Sequence, residues 1–155
     1  MGILLLILAW IVLGAGSVLC ITIPKERIPH RIGMVSSLLS GIFMVGAALW
    51  VLMGSYPEEL YRTWSVPFGS FYIRMDALSA IFLLLIGFIG SITALYGYAY
   101  FKEDTFSPKV PRRNISGMWF FFQILLGGMS LVVTAYNGVL FLFAWEIMSL
   151  AAFFL

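Results

Sequence analysis

The feature that most constrains this chain is a series of long apolar stretches without a charged residue. The first covers residues 2–23 and as a helix spans about 33 Å, enough to cross a hydrocarbon core of about 30 Å. Hydrophobic residues make up 62% of the chain, charged residues 10%, and the mean hydropathy is +1.03. A soluble protein carries about 25% charged residues. The sequence therefore predicts an all-α protein that crosses a membrane several times.

Charged and proline-rich segments divide the chain into about five predicted transmembrane helices. The predicted spans are residues 2–23, 32–56, 76–101, 114–135 and 139–155. The break before the last span is placed at Asn137 and Gly138, a pair suited to a tight turn. The last span is truncated at Leu155 and has no polar tail, so we expect the sequence to be the N-terminal fragment of a larger helical bundle.

The segments between the spans predict the orientation of the protein. Residues 24–31 and 102–113 each contain more basic than acidic side chains, whereas residues 57–75 are net negative when Asp76 is included. By the positive-inside rule, the two basic segments are cytoplasmic and the N-terminus lies outside. Residues 57–75 mix charged residues with Tyr and Trp, as expected of an external loop at the membrane interface.

Composition and residue types argue against several functions for this chain. A net charge of +2 gives no indication of a nucleic-acid partner. Cys20, the single cysteine, provides neither a disulfide nor a cysteine metal site within the chain and is expected to be a small buried residue. His30 is expected to be a solvated loop residue. Because no cysteine cluster or Gly-rich phosphate loop is present, no metal and no cofactor are predicted in this chain.

The most informative residue is Glu146, the only charged residue in the last predicted span. An acid at the centre of a membrane helix costs about 2.5 to 3.5 kcal/mol and usually faces protein or water, where it relays ions or protons. Glu146 lies about 10 Å along the helix axis from Val139, well inside the hydrocarbon. Ser149 shares its helical face and can form a hydrogen bond nearby, whereas Trp145 is expected to serve in packing.

Asp76, at the start of the third span, has two interpretations. An acid followed by Ser79 in the first turn is typical of a residue that caps free backbone N–H groups of a helix and favours its positive end. A secondary functional role for this acid stays open beside the capping role.

Two stretches resemble a known family of membrane subunits. Residues 75–82, Met-Asp-Ala-Leu-Ser-Ala-Ile-Phe, and residues 143–155, which begin Phe-Ala-Trp-Glu, are similar to the antiporter-like subunits of respiratory complex I and their relatives in hydrogenases and cation/proton antiporters. The sequence Trp-Glu-Ile-Met-Ser-Leu of residues 145–150 looks most like the large membrane subunit of formate hydrogenlyase and hydrogenase-4 type complexes. The first two spans match only in hydropathy and orientation.

The resemblance implies a function for Glu146 and a set of partners. Glu146 would be the proton-relay acid of the fifth helix, paired with a lysine that lies outside the sequence. The chain would then be a non-catalytic, proton-translocating subunit of a redox-driven complex in a bacterial or archaeal plasma (inner) membrane. Its partners would be the lipid bilayer, other membrane subunits and peripheral redox subunits. Iron–sulfur, nickel or quinone chemistry would belong to those partner subunits.

Two other functions stay open at this point. The first is a subunit of a cation/proton antiporter that has no redox partner. The second is a non-transporting membrane scaffold, in which Glu146 would be a protonated acid that is hydrogen-bonded across a helix interface.

Overall fold

The computed structural model describes residues 1–23, 27–54, 57–63, 70–105 and 115–155. The helices are α1 Gly2–Thr22, α2 Arg27–Met53, α3 Ala77–Thr105, α4 Ile115–Thr134 and α5 Gly138–Phe154. Within the described ranges, four helices are long and apolar enough to cross a membrane, and α5 is a shorter apolar helix. These helices confirm the prediction of an all-α polytopic membrane protein. A helix suits such apolar segments because it pairs every internal backbone N–H and C=O group within the segment, which lipid requires.

The helices form a bundle in which α2 packs against α1 and α3, while α4 packs against α1 and α5. Small residues bring the helices close together. A Cβ on Gly41 of α2 would lie only 2.8 Å from the carbonyl oxygen of Gly87 in α3. The core between the helices is built from fully buried side chains such as Leu6, Met44 and Leu83.

Residues 57–75 contain a β-hairpin, where the sequence had predicted an interfacial loop. Strands β1 Glu58–Thr63 and β2 Ser70–Met75 pair antiparallel, with Leu60 opposite Ile73. Ile73 and Met75 are fully buried, and they alternate with the polar residues Tyr72 and Arg74. This period of two residues is typical of a strand with one buried face. The charged residues of the segment obscure this pattern in the sequence.

The expectation that His30 is a solvated loop residue is wrong. Helix α2 already begins at Arg27, and His30 is only 7% exposed. The proline-rich segment predicts a loop, but Pro29 lies in the first turn of α2, where the missing N–H of proline costs nothing. Cys20 is fully buried, as predicted.

His30 joins three helices through both of its ring nitrogens. Trp119 of α4 donates its indole N–H to Nδ1 of His30 over 2.9 Å, and Nε2 lies 2.9 Å from the carbonyl oxygen of Tyr98 in α3. Because the indole nitrogen can only donate, Nδ1 must accept, and Nε2 therefore carries the proton that is donated to Tyr98. The histidine is held as one neutral tautomer.

Candidate functional site

Helix α5, which carries Glu146, begins at a well-defined cap. The side-chain oxygen of Asn137 accepts a 2.9 Å hydrogen bond from the backbone N–H of Val139. This bond satisfies one of the N–H groups that have no partner within the helix. The helix starts at Gly138, where the Asn-Gly pair predicted a break between two spans.

Glu146 lies on the face of α5 that is turned away from the rest of the described bundle. The opposite face packs on α4, where a Cβ on Gly128 would lie 3.1 Å from Cα of Met148 and where Ala144 is fully buried. Glu146 follows Ala144 by two positions, about 200° around the helix. Its side chain is exposed and forms no hydrogen bond or ion pair with any residue that the structure describes.

The two residues predicted beside Glu146 have different surroundings. Ser149 is also exposed and follows Glu146 by three positions, on the same face of α5. Trp145 is 50% exposed, and its ring lies 5.5 Å from that of Phe141 in an edge-to-face arrangement. Edge-to-face is one of the arrangements that aromatic pairs prefer.

The surface around Glu146 is apolar. Leu142 and Leu150, one turn before and one turn after it, are 64% and 56% exposed. An ionised carboxylate facing lipid at this position would cost about 2.5 to 3.5 kcal/mol. Acids at such positions usually face protein or a water-filled cavity in the membrane.

Asp76 lies immediately before α3, away from α5 in the sequence. Its Oδ1 accepts a 2.8 Å hydrogen bond from the backbone N–H of Ser79. This bond lowers the pKa of the Asp76 carboxyl below its ordinary value, so the group is ionised at neutral pH. The geometry is that of a helix N-cap.

Sequence reasoning missed the contact between the hairpin and the turn that leads into α5. Ile73 of β2 forms an antiparallel bridge with Ala135, and the backbone N–H of Tyr136 donates to the carbonyl oxygen of Tyr72 over 2.9 Å. The alternation of apolar and polar residues in β2 could have predicted the strand. The pairing with residues 135–136 is a long-range contact that no local pattern indicates.

The structure holds no group of three or more His, Cys, Asp or Glu side chains suited to a metal ion within the part of the chain that it describes. The candidate site consists of Glu146 and its face of α5, with Ser149 as the nearest polar neighbour on that face.

Comparison with known proteins identifies the class of protein to which this helical arrangement belongs. No family model matches the chain. The chain is 30% identical, over 91% of its length, to a protein of Rhizobium meliloti described as a probable K(+)/H(+) antiporter subunit. It is 31% identical to the L subunit of NADH-quinone oxidoreductase of Mycobacterium tuberculosis over 81% of its length, and 24% identical to hydrogenase-4 component B of Escherichia coli over 84%.

All three relatives are subunits or components of membrane assemblies of the antiporter-like class. The chain belongs to the antiporter-like family of complex I membrane subunits, as the resemblance at residues 75–82 and 143–155 predicted. It spans 14% of the length of the antiporter relative, 20% of the quinone oxidoreductase relative and 18% of the hydrogenase relative.

Proposed function

We propose that the chain is part of a proton-translocating membrane subunit of a redox-driven complex, of the hydrogenase or complex I type, in which Glu146 relays protons. The observation that carries this proposal is the position of Glu146 in apolar α5, exposed on the face opposite α4. Two relatives support the redox assignment, because one is named as a subunit of NADH-quinone oxidoreductase and another as a component of hydrogenase-4.

The proposed relay works by electrostatics. Burial in a membrane favours the protonated form of a carboxyl group, and a nearby cation favours the ionised form. If a cation approaches and leaves the outer face of α5 during turnover, Glu146 releases a proton and then takes up another. Redox chemistry in partner subunits would drive this motion. Ser149, on the same face, would hydrogen-bond the carboxyl group or a water beside it.

We also propose that the protein lies in a bacterial or archaeal inner membrane with its N-terminus outside. The basic segments 24–31 and 102–113 support this orientation under the positive-inside rule. The bundle is consistent with this arrangement, since the hairpin contacts both the start of α1 and the turn before α5. The cluster around His30 joins the first turns of α2 and α4 to the C-terminal part of α3.

The proposal is tested by Glu146→Gln in the assembled complex. Proton uptake is measured in inverted membrane vesicles by quenching of a pH-sensitive dye while electron transfer is driven. Glu146→Gln is expected to abolish coupled proton movement, because the amide does not bind and release a proton at physiological pH, whereas Glu146→Asp should retain part of it.

Leu150→Gln provides the matched control. It places the same amide one turn further along α5, at a position that is 56% exposed, and leaves the carboxylate intact. Normal proton movement is expected in this variant when its amount in the membrane equals that of the parent. Unchanged proton movement in Glu146→Gln would instead favour a scaffold role for α5.

A second candidate function is that of a cation/proton antiporter without a redox partner. It is favoured by the similarity to the probable K(+)/H(+) antiporter relative, which extends over 91% of the chain. Proton movement that follows a K⁺ or Na⁺ gradient in the absence of any electron donor would identify this function. Proton movement that requires electron transfer would support the redox-driven complex.

A further inference from the structure

The hairpin holds the turn that precedes α5 through its backbone. Because Ala135 bridges to Ile73 and the N–H of Tyr136 donates to Tyr72, these two turn residues extend the free edge of β2. The side-chain amide of Asn137 also donates to the hydroxyl of Ser70 over 3.3 Å. The three residues immediately before α5 are thus attached to β2.

Side chains strengthen this attachment at Tyr136. Nη1 of Arg74 donates to the hydroxyl oxygen of Tyr136 over 3.2 Å, and the guanidinium carbon lies 4.9 Å from the centre of the Tyr136 ring. This arrangement combines a hydrogen bond with a cation–π contact. The rings of Tyr72 and Tyr136 also meet edge to face, with their centres 5.0 Å apart.

Arg74 is itself held in place by the other strand of the hairpin. Its Nε lies 3.4 Å from Oε1 of Glu59, close enough for an ion pair, and the hydroxyl of Tyr72 donates to Oε2 of the same carboxylate over 2.6 Å. The ion pair is long and partly exposed, and Nε forms no hydrogen bond, so the pair adds little to the stability of the fold. The guanidinium therefore lies between Glu59 and Tyr136.

Apart from this attachment, α5 packs mainly against α4. This contact brings Gly128 against Met148, and Leu140, Ala144 and Ala151 are the buried residues of α5. Near the other end of α5, the ring of Phe154 stacks on that of Phe121 in α4. The attachment to β2 holds the start of α5 from outside the α4–α5 pair. Among the described elements, α4 and β2 are the two that α5 contacts most extensively.

We propose that Arg74 and Tyr136 are positioning residues for Glu146, because the hairpin fixes how deeply α5 is inserted in the membrane. Glu146 follows Gly138 by eight positions, about 12 Å along the axis, so a displacement at the start of α5 moves the carboxylate by the same amount. The importance of this depth for proton transfer rests on the proposed function. The role of Arg74 and Tyr136 in fixing the depth of α5 is independent of that function.

The test measures the depth of α5 directly, in the full chain assembled in its membrane complex. Val139→Cys and Leu142→Cys serve as single reporters near the start of α5. Buried Cys20 gives the background labelling of the unmodified protein. A membrane-impermeant maleimide is applied to each membrane face, and the labelling rates are compared with and without Arg74→Leu or Tyr136→Leu.

Both substitutions are expected to change the depth of α5 and therefore the labelling rates. If α5 moves outwards, the rate at Leu142→Cys rises severalfold, and if α5 moves inwards, the rate at Val139→Cys falls severalfold. Arg62→Leu is the matched control, because Arg62 lies on β1 of the same hairpin and is exposed. It should leave both rates unchanged. Tyr136→Phe keeps the ring and removes only the hydroxyl that Arg74 contacts, so it is expected to give a smaller shift in the same direction.

Two results would overturn the proposal: unchanged labelling in Arg74→Leu, Tyr136→Leu and Tyr136→Phe, or an equal shift in Arg62→Leu. If Arg74→Leu does not reach the membrane, Tyr136→Phe and Arg74→Lys decide the question. Normal proton movement in Glu146→Gln would remove the proposed function yet leave the labelling result intact, so the two failures are distinguishable. A shift accompanied by reduced proton movement supports both.

Discussion

Oε2 of Glu58 in β1 accepts a 2.8 Å hydrogen bond from the backbone N–H of Ile3 in the first turn of α1. The N–H of Gly2 donates to Oε1 over 3.0 Å, and the amino group of Met1 lies 2.7 Å from the same oxygen. The first N–H groups of a helix have no partner within it. A carboxylate from the hairpin therefore caps α1, and this bond joins two elements that are far apart in sequence.

Glu58→Gln is expected to lower the free energy of unfolding by about 1 to 2 kcal/mol near neutral pH, the range of a lost charged helix cap. Burial by itself would raise the pKa of Glu58, but the hydrogen bonds from Ile3, the Met1 amino group and Gly2 outweigh it and lower the pKa from 4.5 to about 2. Thermal unfolding of the purified complex in detergent measures the loss.

The lowered pKa of Glu58 also predicts how the stability difference between the parent protein and Glu58→Gln depends on pH. A carboxyl whose pKa is lower when folded stabilises the protein fully above its unfolded pKa of 4.5 and loses that contribution as the pH falls towards about 2. The difference in free energy of unfolding between the parent and Glu58→Gln should therefore decrease as the pH falls from 4.5 towards about 2. A difference that does not change with pH would contradict the assigned role of the carboxylate.

The bond between His30 and Trp119 predicts a coupled effect of two substitutions. His30→Phe leaves the indole N–H of Trp119 without its acceptor at a position that is 2% exposed. An unpaired buried donor costs about 1 to 3 kcal/mol. Trp119→Phe removes the donor, so the double variant should lose less stability than the sum of the two single variants. Denaturant unfolding of all four proteins measures this coupling, and strict additivity would argue against the bond.

Gly33→Ala is expected to destabilise the contact between α2 and α4 by about 1 to 3 kcal/mol, the usual effect of overpacking. A Cβ on Gly33 would overlap the ring of Trp119, which is itself held by His30. Gly14→Ala is the matched control in α1, because no atom lies within 4 Å of its added methyl group. Thermal unfolding should show a loss for Gly33→Ala and none for Gly14→Ala.

The sequence was sufficient to predict the helices because lipid leaves an apolar segment few alternatives to a helix. It was not sufficient for His30, whose burial depends on Trp119 and Tyr98, two residues that are distant along the chain. The hairpin was missed for a related reason. Strand formation depends on the partner strand and on burial, so the charged residues of 57–75 concealed the alternation around Ile73.

The candidate site was predictable in part. The position of Glu146 within an apolar helix follows from residue types alone, and its direction relative to α4 follows from helical periodicity once the buried face of α5 is known. The attachment of Tyr136 to Arg74 was not predictable, because a cation–π contact between a strand and a turn has no local sequence pattern.

Asp76 allows its two interpretations to be separated by one pair of variants. Asp76→Ala removes the acceptor of the Ser79 N–H and should cost about 0.5 to 2 kcal/mol, measured by thermal unfolding. Asparagine caps helices as well as aspartate does, so Asp76→Asn should keep most of that stability. If capping is the only role, Asp76→Asn also keeps full proton movement in vesicles. Loss of proton movement in a stable Asp76→Asn protein would instead identify a second functional acid, since only the charge has been removed.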